Sequence, residues 1–580
     1  MRYEKLSPTL AQAYDEYAQN GKPALASHAK LLSLVAAEET APRPAKVVAF
    51  FHVDEATPQN AFASLGVELN SGEGAIRTGI APLDALDVLT ESDAVHRVVP
   101  ARQLKALLDK AVPRCNVPKL YAKGLDGTGV VVGVVDTGID VRNPAFAKRV
   151  KKIWDQTVTG KGVKEGKYGA EFTGALMETS ADTRGHGTHV SGIAAGNDDT
   201  YKGVAHAADI VMVKSDLSSA HIADGIRYVF RVAADLKKPA VCNLSLGGHG
   251  DAHDGTDSLS QMIDSLVGPG RIVCCAAGNE GEDNIHAQVK VAKGSTKTVS
   301  AIVALAQAGQ QPPVATFNGW YAGTDRFEVA VVTPGGTQTP FQTVIDNGPP
   351  GKSYDTPYGT VQIITPGVDP SNGDINFFVE IQPKVGAPAA AKPQSWKLRI
   401  KAVKVTKGLV DIWEVDESAS LFTGAAVANN MKVGSPGCAT QAITVASYTT
   451  RNEWDTMTGD TRHYGEPLET ISGFSSEGPR RDGVQKPDVA APGAVIISQL
   501  SSKSPVSPNV LIDAWNKVDA GTSMACPFIA GTVALLLQRD PTLTPDKVKG
   551  MLKTASAIPK KKAGTWDAQW GYGLIDASLL

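Results

Sequence analysis

Four short segments that lie far apart in the chain carry side chains that together could break an acyl bond. VVDTGID contains Asp136, GHGTHVSG contains His186, AAGNEG contains Asn279 and GTSMACPFIAG contains Ser523. A serine hydroxyl is a weak nucleophile at neutral pH, so it needs a base within hydrogen-bond reach and a third group that orients the base. Ser523, His186 and Asp136 are candidates for those three roles. Asn279 is a candidate donor to the negative oxygen that forms when a carbonyl is attacked.

The flanking sequence predicts the elements that must position these side chains. The run VVVGVV before Asp136 is apolar without alternation, which predicts a central strand of a parallel sheet. The carboxyl end of such a strand opens into the crevice where open α/β sheets bind ligands. The stretch after His186 suits a helix, and MACPFIAGTVALLLQ predicts a buried helix whose N-terminus lies at Ser523. Free N–H groups at that N-terminus favour a developing negative charge.

In these segments and in their order Asp, His, Ser, the chain resembles the subtilisin-like serine proteases (subtilases), for which this order is known. The resemblance implies that Asp136, His186 and Ser523 form a catalytic triad and that Asn279 belongs to the oxyanion hole. It also implies that two short segments flank the substrate and leave an open slot for the side chain before the scissile bond. These segments comprise Ser245, Leu246 and Gly247, and Ala276, Ala277 and Gly278.

Strands and helices alternate around these segments. ADIVMVKS, PAVCNLSLGG and RIVCCAAGN are predicted strands, while 222–238 and 257–267 have the apolar spacing of helices. This alternation predicts an α/β domain with a doubly wound parallel sheet that helices cover on both faces. We assign the predicted catalytic domain to 115–284 and 425–580.

The interval between Asn279 and Ser523 is far longer than this fold needs. Helical periodicity is absent from 285–424, where about eight short strands, among them VKVAKG, FQTVI and INFFVEI, are divided by Gly, Pro, Asn and Asp turns. The pattern predicts an inserted all-β sandwich, jelly-roll-like in architecture. It resembles the jelly-roll insertion of the clostridial Csp germination proteases, which lies in the same interval.

The region before the catalytic domain is predicted to contain a further unit. Residues 1–45 are polar and are predicted to form an N-terminal extension that is helical in part. Residues 46–100 have the order β-α-β-β-α-β of a ferredoxin-like fold, with PQNAFASLG as the first helix. This resembles the inhibitory propeptide of subtilases, and we expect the tail 101–114 to lie through the active-site cleft as a first substrate. Residues 46–114 are thus predicted to be an intramolecular inhibitor with a cleavable tail, the alternative being a permanent accessory domain.

Length and composition are those of a globular protein of several domains. A chain of 580 residues is too long for one core, and 42% hydrophobic with 20% charged residues is ordinary for a soluble fold. The net charge of −3 favours neither a nucleic-acid partner nor an anionic membrane. No stretch approaches the roughly 18 apolar residues of a transmembrane helix.

The start of the chain and the cysteines bear on the compartment. MRYEKLSPTLAQAYDEY lacks the apolar core of a signal peptide. The six cysteines lie mostly in apolar runs, and adjacent Cys274 and Cys275 should point to opposite faces of a strand, which predicts buried thiols rather than disulfides. These features favour a cytoplasmic location, with non-classical export as the alternative.

Two polar stretches raise the question of metal binding. The loop GGHGDAHDGTD concentrates His and Asp side chains, but their spacing fits no specific metal motif, and a hydrogen-bonded loop on the substrate side is the favoured interpretation. NDDT at 197–200 could contribute to a structural calcium site. The predicted chemistry requires no cofactor.

The prediction is therefore a self-processing serine endopeptidase that acts on a restricted set of peptide or protein substrates. Two alternatives from other classes stay open. One is a catalytically inactive, subtilase-like pseudoprotease that binds peptides or partners. The other is a protein whose inserted β-sandwich is the functional part, as a carbohydrate- or protein-binding module.

Overall fold

The computed structural model of the chain describes residues 1–6, 8–21, 34–35, 45–69, 75–100, 110–310, 312–344, 351–388, 394–415 and 419–580. The chain divides into two compact units, Met1–Ala106 and Leu107–Leu580. Most of the predicted tail at 101–114 lies outside the described residues, since only 110–114 are described.

The first unit is a small antiparallel sheet with helices. Its strands pair in the order β5-β2-β4-β3, and β1 pairs with the beginning of β2. Leu10, Phe51 and Leu86 belong to its own hydrophobic core. The elements are α1 (Pro8–Asn20), β1 (Leu34–Val35), β2 (Lys46–Val53), β3 (Glu68–Leu69), β4 (Ile76–Pro82), α2 (Leu86–Glu91) and β5 (Val95–Pro100).

The first helix predicted in this unit, PQNAFASLG, is wrong. The segment forms a single 3₁₀ turn, Ala63–Leu65, within a run of turns. The turn ends at Gly66, whose φ of +74° reverses the chain. A Cβ at Gly66 would lie 3.2 Å from Pro82, so the chain passes close to β4 there. The early reversal leaves no room for the i to i+4 hydrogen bonds of an α-helix.

The second unit begins with alternating strands and helices. The last residue of β6 is Asp136 and the first of α5 is His186. The elements are α3 (Ala111–Arg114), α4 (Pro118–Tyr121), β6 (Val131–Asp136), β7 (Val150–Asp155), β8 (Ala170–Phe172), α5 (His186–Ala195), β9 (Asp209–Lys214), α6 (Ser219–Asp235), β10 (Ala240–Leu244), α7 (Ser258–Leu266) and β11 (Arg271–Ala276).

Ten described strands follow without a helix between them. They form two antiparallel sheets, a six-stranded one in the order β12-β20-β14-β18-β17-β16 and a four-stranded one in the order β15-β19-β13-β21. Side chains of both sheets share one hydrophobic core. The strands are β12 (His286–Lys290), β13 (Thr296–Val303), β14 (Ala315–Tyr321), β15 (Arg326–Val332), β16 (Gly351–Thr356), β17 (Gly359–Ile364), β18 (Ile375–Pro383), β19 (Gln394–Lys404), β20 (Leu409–Glu414) and β21 (Ser420–Thr423).

Two of the predicted strands of this region differ in the structure. FQTVI forms no strand in its described residues, where Gln342 makes only an isolated bridge to Val329. VKVAKG continues as a strand only to Lys290, because the chain turns toward β13 after that residue.

The chain then returns to the α/β part. Ser523 is the second residue of α8. The elements are β22 (Ile443–Thr449), β23 (Glu453–Asp455), β24 (Thr461–His463), β25 (Thr470–Ile471), β26 (Val489–Ala494), β27 (Ile496–Gln499), β28 (Asn516–Asp519), α8 (Thr522–Arg539), α9 (Pro545–Thr554), β29 (Ser556–Ala557) and β30 (Leu574–Ile575).

The central sheet of the α/β part is mixed and mostly parallel. Its order is β29-β30-β26-β22-β11-β10-β6-β9-β7-β8, and β25 also pairs with β22. The seven strands from β26 to β7 in this order run parallel. Helices α5 and α8 cover one face and α6 and α7 the other. The prediction of a parallel sheet covered on both faces is confirmed for these seven strands, whereas β8, β25 and β29 pair antiparallel.

Alternate residues of the buried strands enter two different cores. Val132 and Val134 of β6 pack with α5 and α8, while Val131 and Val135 pack with α6. A Cβ at Gly133 would lie 2.2 Å from Val229 of α6, so only glycine fits at this position. The apolar run of β6 therefore reflects burial on both faces.

The six cysteines are all buried free thiols. Cys274 faces the core of α5 and α8, and Cys275 faces the core of α6 and α7. The two neighbours thus point to opposite faces of β11, as predicted. Among the helices of the described residues, none is long and apolar enough to cross a membrane.

Candidate active site

Asp136 and His186 meet at the carboxyl end of β6. Oδ1 of Asp136 lies 2.8 Å from Nδ1 of His186 and also accepts a hydrogen bond of 2.7 Å from the backbone N–H of Thr137. A carboxylate can only accept, so in the neutral ring Nδ1 carries the proton and Nε2 has the lone pair. A Cβ at Gly187 would lie 2.2 Å from the carbonyl oxygen of Gly138, which explains the glycine that follows the histidine.

A second carboxylate, that of Asp182, holds the start of α5 in place. Oδ1 accepts from the backbone N–H of Gly185 at 2.8 Å and from the hydroxyl of Thr137 at 3.0 Å. Oδ2 accepts from the backbone N–H and the hydroxyl of Thr188 at 2.9 and 2.7 Å. Asp182 thus ties the turn after β6 to the helix of His186. This role of Asp182 was not predicted from the sequence, although an acidic residue shortly before the start of a helix is a usable signal.

Ser523 lies in the first turn of α8 beside Ser245. Its hydroxyl donates to the carbonyl oxygen of Ser245 at 3.3 Å, and the Ser245 hydroxyl donates to the carbonyl oxygen of Ser523 at 2.8 Å. Within the described residues no hydrogen bond joins this hydroxyl to the ring of His186. Such contacts are often long before substrate binds, and a rotation of the serine side chain redirects the hydroxyl.

The side chain of Asn279 has a fixed orientation. Its Oδ1 accepts from the backbone N–H of Thr522 at 2.8 Å, and it shares the proton of the Thr522 hydroxyl, at 3.1 Å, with the carbonyl oxygen of Gly278. The same hydroxyl accepts from the backbone N–H of Gly278 at 3.1 Å. With its oxygen engaged, Asn279 has its amide N–H groups left to donate. The backbone N–H of Ser523 is also left to donate, because it lies in the first turn of α8 and has no acceptor within the helix.

Known proteins are similar to this chain in sequence and in fold. A model described as the subtilase family matches residues 127–362 and 389–573, which is more than half of the chain. The chain belongs to the subtilase family. It is similar to the subtilisin-like protease PopC of Myxococcus xanthus, with 30% identity over 208 residues that cover 32% of this chain and 40% of PopC.

Another relative and one solved structure support the same assignment. Serine protease AprX of Bacillus subtilis is 34% identical over 161 residues, which are 26% of this subtilase and 33% of AprX. The matches thus span less than half the length of PopC and AprX. The structure of the Clostridium perfringens CspB protease has a TM-score of 0.64 at 22% identity and covers 80% of this chain and 95% of that one. At that identity the likeness shows the fold.

The predicted substrate segments of this subtilase lie at the carboxyl ends of β10 and β11, and Ala276 is the last residue of β11. Gly247 is exposed and Leu246 is half-buried, whereas Ser245 is buried beside Ser523. Ala276 and Ala277 are buried, and the Ala277 N–H donates to Val445 of β22 at 3.0 Å. The two alanines therefore pack into the sheet.

The loop GGHGDAHDGTD is organised by hydrogen bonds of its own carboxylates. Asp251 accepts from the backbone N–H of His253 at 2.7 Å, and Asp257 accepts from the N–H groups of the second and third residues of α7 at 3.1 and 3.0 Å. In the described part of the chain no group of three or more His, Cys, Asp or Glu side chains is arranged to hold a metal ion. The favoured interpretation as a hydrogen-bonded loop agrees with these contacts.

Charged neighbours decide the basicity of His186. Burial lowers the pKa of the ring, but the charge and hydrogen bond of Asp136 outweigh burial and raise the pKa to about 9. Asp519, in β28, adds to the rise, and Lys517 opposes it. Lys517 and Asp519 also form an ion pair of 2.8 Å with each other.

Proposed function

We propose that this subtilase is a serine endopeptidase that hydrolyses peptide bonds through an acyl-enzyme on Ser523. The observation that carries the proposal is the 2.8 Å contact between Asp136 and His186. This contact leaves Nε2 of His186 to act as a base at the carboxyl end of β6. The first turn of α8 lies at the carboxyl end of the neighbouring strand β10, where Ser523 contacts Ser245. The names of PopC and AprX, both called proteases, support the same class of reaction.

Each of the four residues has one role in this scheme. Nε2 of His186 takes the proton of Ser523 as the serine oxygen attacks the substrate carbonyl, while Asp136 stabilises the imidazolium that forms. The Asn279 amide and the Ser523 backbone N–H donate to the negative oxygen. His186 then protonates the leaving amine, and a water molecule activated by the same base hydrolyses the acyl ester. None of these steps requires a metal or a cofactor.

We also propose that residues 46–114 are an inhibitory propeptide, whose ferredoxin-like part at 46–100 belongs to the first unit. Its antiparallel order β5-β2-β4-β3, with α2 before the last strand, supports that fold. Its own hydrophobic core supports independent folding, which an inhibitor removed by cleavage requires. The protein would then be made as a zymogen that cuts itself.

We further propose that the inserted sandwich, jelly-roll-like in architecture, restricts the substrates. Its six-stranded sheet contacts the loop that follows the proposed substrate segment 245–247. Asn318 of β14 donates to the carbonyl oxygen of Asp251 at 2.9 Å, and Asn372 donates to the carboxylate of Asp254 at 3.0 Å. A folded domain held against this loop would admit extended substrate segments to the active site and exclude bulky folded ones.

One experiment tests these proposals together. Wild-type protein and Ser523→Ala are purified, and the intact mass of each is measured. We expect the wild type to be cut between about 100 and 120 and Ser523→Ala to keep its full length, because the attacking hydroxyl is missing. An active wild type with an intact mass would refute self-processing, and a wild type without peptide hydrolysis would favour the inactive alternative. Equal rates of cleavage of one substrate protein in its folded and its unfolded form would refute the proposal that the sandwich restricts the substrates.

The pKa of His186 predicts an alkaline pH profile. The base must be neutral to accept a proton, so kcat/KM should rise with pH to a midpoint at about 9, above the ordinary value of 6.5. Asp519→Asn removes a negative charge that raises the pKa and should shift the midpoint toward acid. Lys517→Gln removes a positive charge and should shift it the other way. Rate profiles of the three enzymes on a small peptide check this, and identical midpoints would contradict it.

A further inference from the structure

The two residues that flank Asn279 are both held by Ser476. The Ser476 backbone N–H donates to the carbonyl oxygen of Gly278 at 3.0 Å. Its hydroxyl accepts from the backbone N–H of Glu280 at 3.0 Å and donates to Oε2 of the Glu280 carboxylate at 2.7 Å. The glutamate side chain therefore folds back over this short loop. A Cβ at Gly278 would lie 2.4 Å from that carboxylate oxygen.

The Glu280 carboxylate is also in contact with His249 of the GGHGDAHDGTD loop. Oε2 of Glu280 lies 3.4 Å from Nε2 of His249, and both side chains are largely buried. Burial raises the pKa of Glu280, but the hydrogen bond and charge of His249 outweigh burial and lower it. The carboxylate therefore stays ionised and anchors the loop of Asn279 to the histidine.

His249 leads in turn to the inserted sandwich. Its Nδ1 lies 3.0 Å from Nε2 of His253, whose ring stacks on Trp413 of β20 at 4.0 Å and 6°. Trp413 is fully buried, and its indole N–H donates to the carbonyl oxygen of Met431 at 2.8 Å. His286, the first residue of β12, stacks on the same tryptophan at 4.6 Å. The insertion thus presents a rigid aromatic surface to His253.

The hydrogen bonds of the two loop histidines define a direction. Burial lowers the pKa of His253 well below its usual value, so this ring is neutral. Its Nδ1 lies 3.1 Å from the carbonyl oxygen of Asp251, which can only accept, so the proton is on Nδ1 and Nε2 accepts from His249. His249 faces a carboxylate with its other nitrogen. His249 can donate to both His253 and the Glu280 carboxylate only with a proton on each ring nitrogen, so the path requires a cationic His249.

We propose that the inserted sandwich positions the oxyanion donor through the path Trp413, His253, His249 and Glu280. Trp413 fixes the ring of His253, which fixes His249, and His249 holds the carboxylate that lies over the loop of Asn279. The insertion then helps to position the oxyanion donor and also restricts the access of substrates. This inference rests on the proposed function, because the role of Asn279 does.

The path can be broken in the middle without removing the stacked ring. His253→Phe keeps a flat ring against Trp413 but has no nitrogen for His249. We expect kcat for a short peptide to fall about ten- to a hundredfold, with KM unchanged within about twofold, because a misplaced donor affects the transition state and not substrate binding. Glu280→Gln, which keeps size but loses the charge, should act in the same direction. It carries the test if His253→Phe does not fold.

A matched control breaks another contact of the insertion. Asp374, which precedes β18, forms an ion pair of 2.7 Å with Arg481 and is not part of the path. Asp374→Asn should leave kcat within about twofold of the wild type. A fall in kcat as large as that of His253→Phe would mean that any loosening of the insertion has the same effect, and it would overturn the proposal.

A second readout reports on the oxyanion site directly. The serine oxygen adds to the carbon of a peptide aldehyde, and the oxygen of this adduct occupies the oxyanion position, whereas the matching peptide alcohol cannot form an adduct. His253→Phe should weaken inhibition by the aldehyde about ten- to a hundredfold and leave inhibition by the alcohol unchanged. Equal weakening of both inhibitors would indicate a general structural defect and overturn the proposal.

The last arm asks whether the path acts through Asn279. In an Asn279→Ala enzyme the donor is already absent, so adding His253→Phe should lower kcat by less than about twofold further. Full additivity of the two losses would overturn the inference. A wild type that hydrolyses no peptide in the same assay would instead overturn the proposed function, so the two failures are distinguishable.

Discussion

Ser523→Ala should lower kcat for peptide hydrolysis by about a millionfold, the loss that this replacement causes in subtilisin itself. The substitution deletes the attacking oxygen, and the reaction that remains depends on the oxyanion site and on substrate binding alone. Because the hydroxyl makes one hydrogen bond among the described residues, of 3.3 Å, the free energy of unfolding should change by less than about 1 kcal/mol. Single-turnover kinetics on a fluorogenic peptide and a thermal melt measure the two quantities.

His186→Ala and the double variant provide the internal comparison. Nucleophile and base act as one unit, so each single variant and the double variant should have similar residual rates. Ser265→Ala is a matched control, because this exposed serine of α7 also makes one short contact, of 2.7 Å to the carbonyl oxygen of Met262. It should keep the wild-type rate. Hydrolysis at the wild-type rate by pure Ser523→Ala would rule out the mechanism.

The positions of the site residues on their elements could be predicted because each segment carries local information. The apolar run of β6 ends at Asp136, and the buried α8 begins one residue before Ser523. The contacts that fix the geometry could not be predicted. Asp182, Thr522 and Ser476 act through hydrogen bonds of individual side chains and backbone groups, and such bonds leave no periodic signal.

The inserted region shows a different limit of sequence reasoning. Its all-β character was predictable, since apolar residues alternate in β13, β18 and β19. Strand β14 was missed because its sequence, ATFNGWY, contains polar and glycine residues in the middle. The reason for those residues is tertiary. A Cβ at Gly319 would lie 2.1 Å from Phe377 of β18, and Asn318 bonds to the loop of Asp251.

The histidine-rich loop illustrates the same point. Its residues were compatible with a metal site or with a hydrogen-bonded loop, and local spacing alone could not decide. The structure gives His253 a stacking partner, Trp413, that is far away in the sequence. His253 also adopts a φ of +54°, which is uncommon for a residue with a side chain and here serves that contact. Neither feature can be predicted from the segment itself.

Asn279→Ala should lower kcat by roughly a hundredfold to a thousandfold while KM changes little. The negative oxygen exists only in the transition state, so a donor to it contributes nothing to binding of the ground state. The size of the effect depends on how firmly the donor is held. Asn279 is exposed, but its oxygen accepts from the backbone N–H of Thr522 at 2.8 Å, so the amide needs little reorganisation when the charge develops.

The comparison of Asn279→Ala with Asn279→Asp separates the donor from the orientation of the side chain. Aspartate can still accept from the backbone N–H of Thr522, but it has no N–H group and adds a negative charge near the developing oxyanion. We expect Asn279→Asp to be at least as slow as Asn279→Ala, although its side chain is held in the same way. Asn452→Ala, which removes a 3.1 Å bond to the Glu466 carbonyl oxygen, is the matched control and should leave kcat unchanged. If Asn279→Asp hydrolyses peptides as fast as the wild type, an acceptor suffices at this position, and Asn279 is not the oxyanion donor.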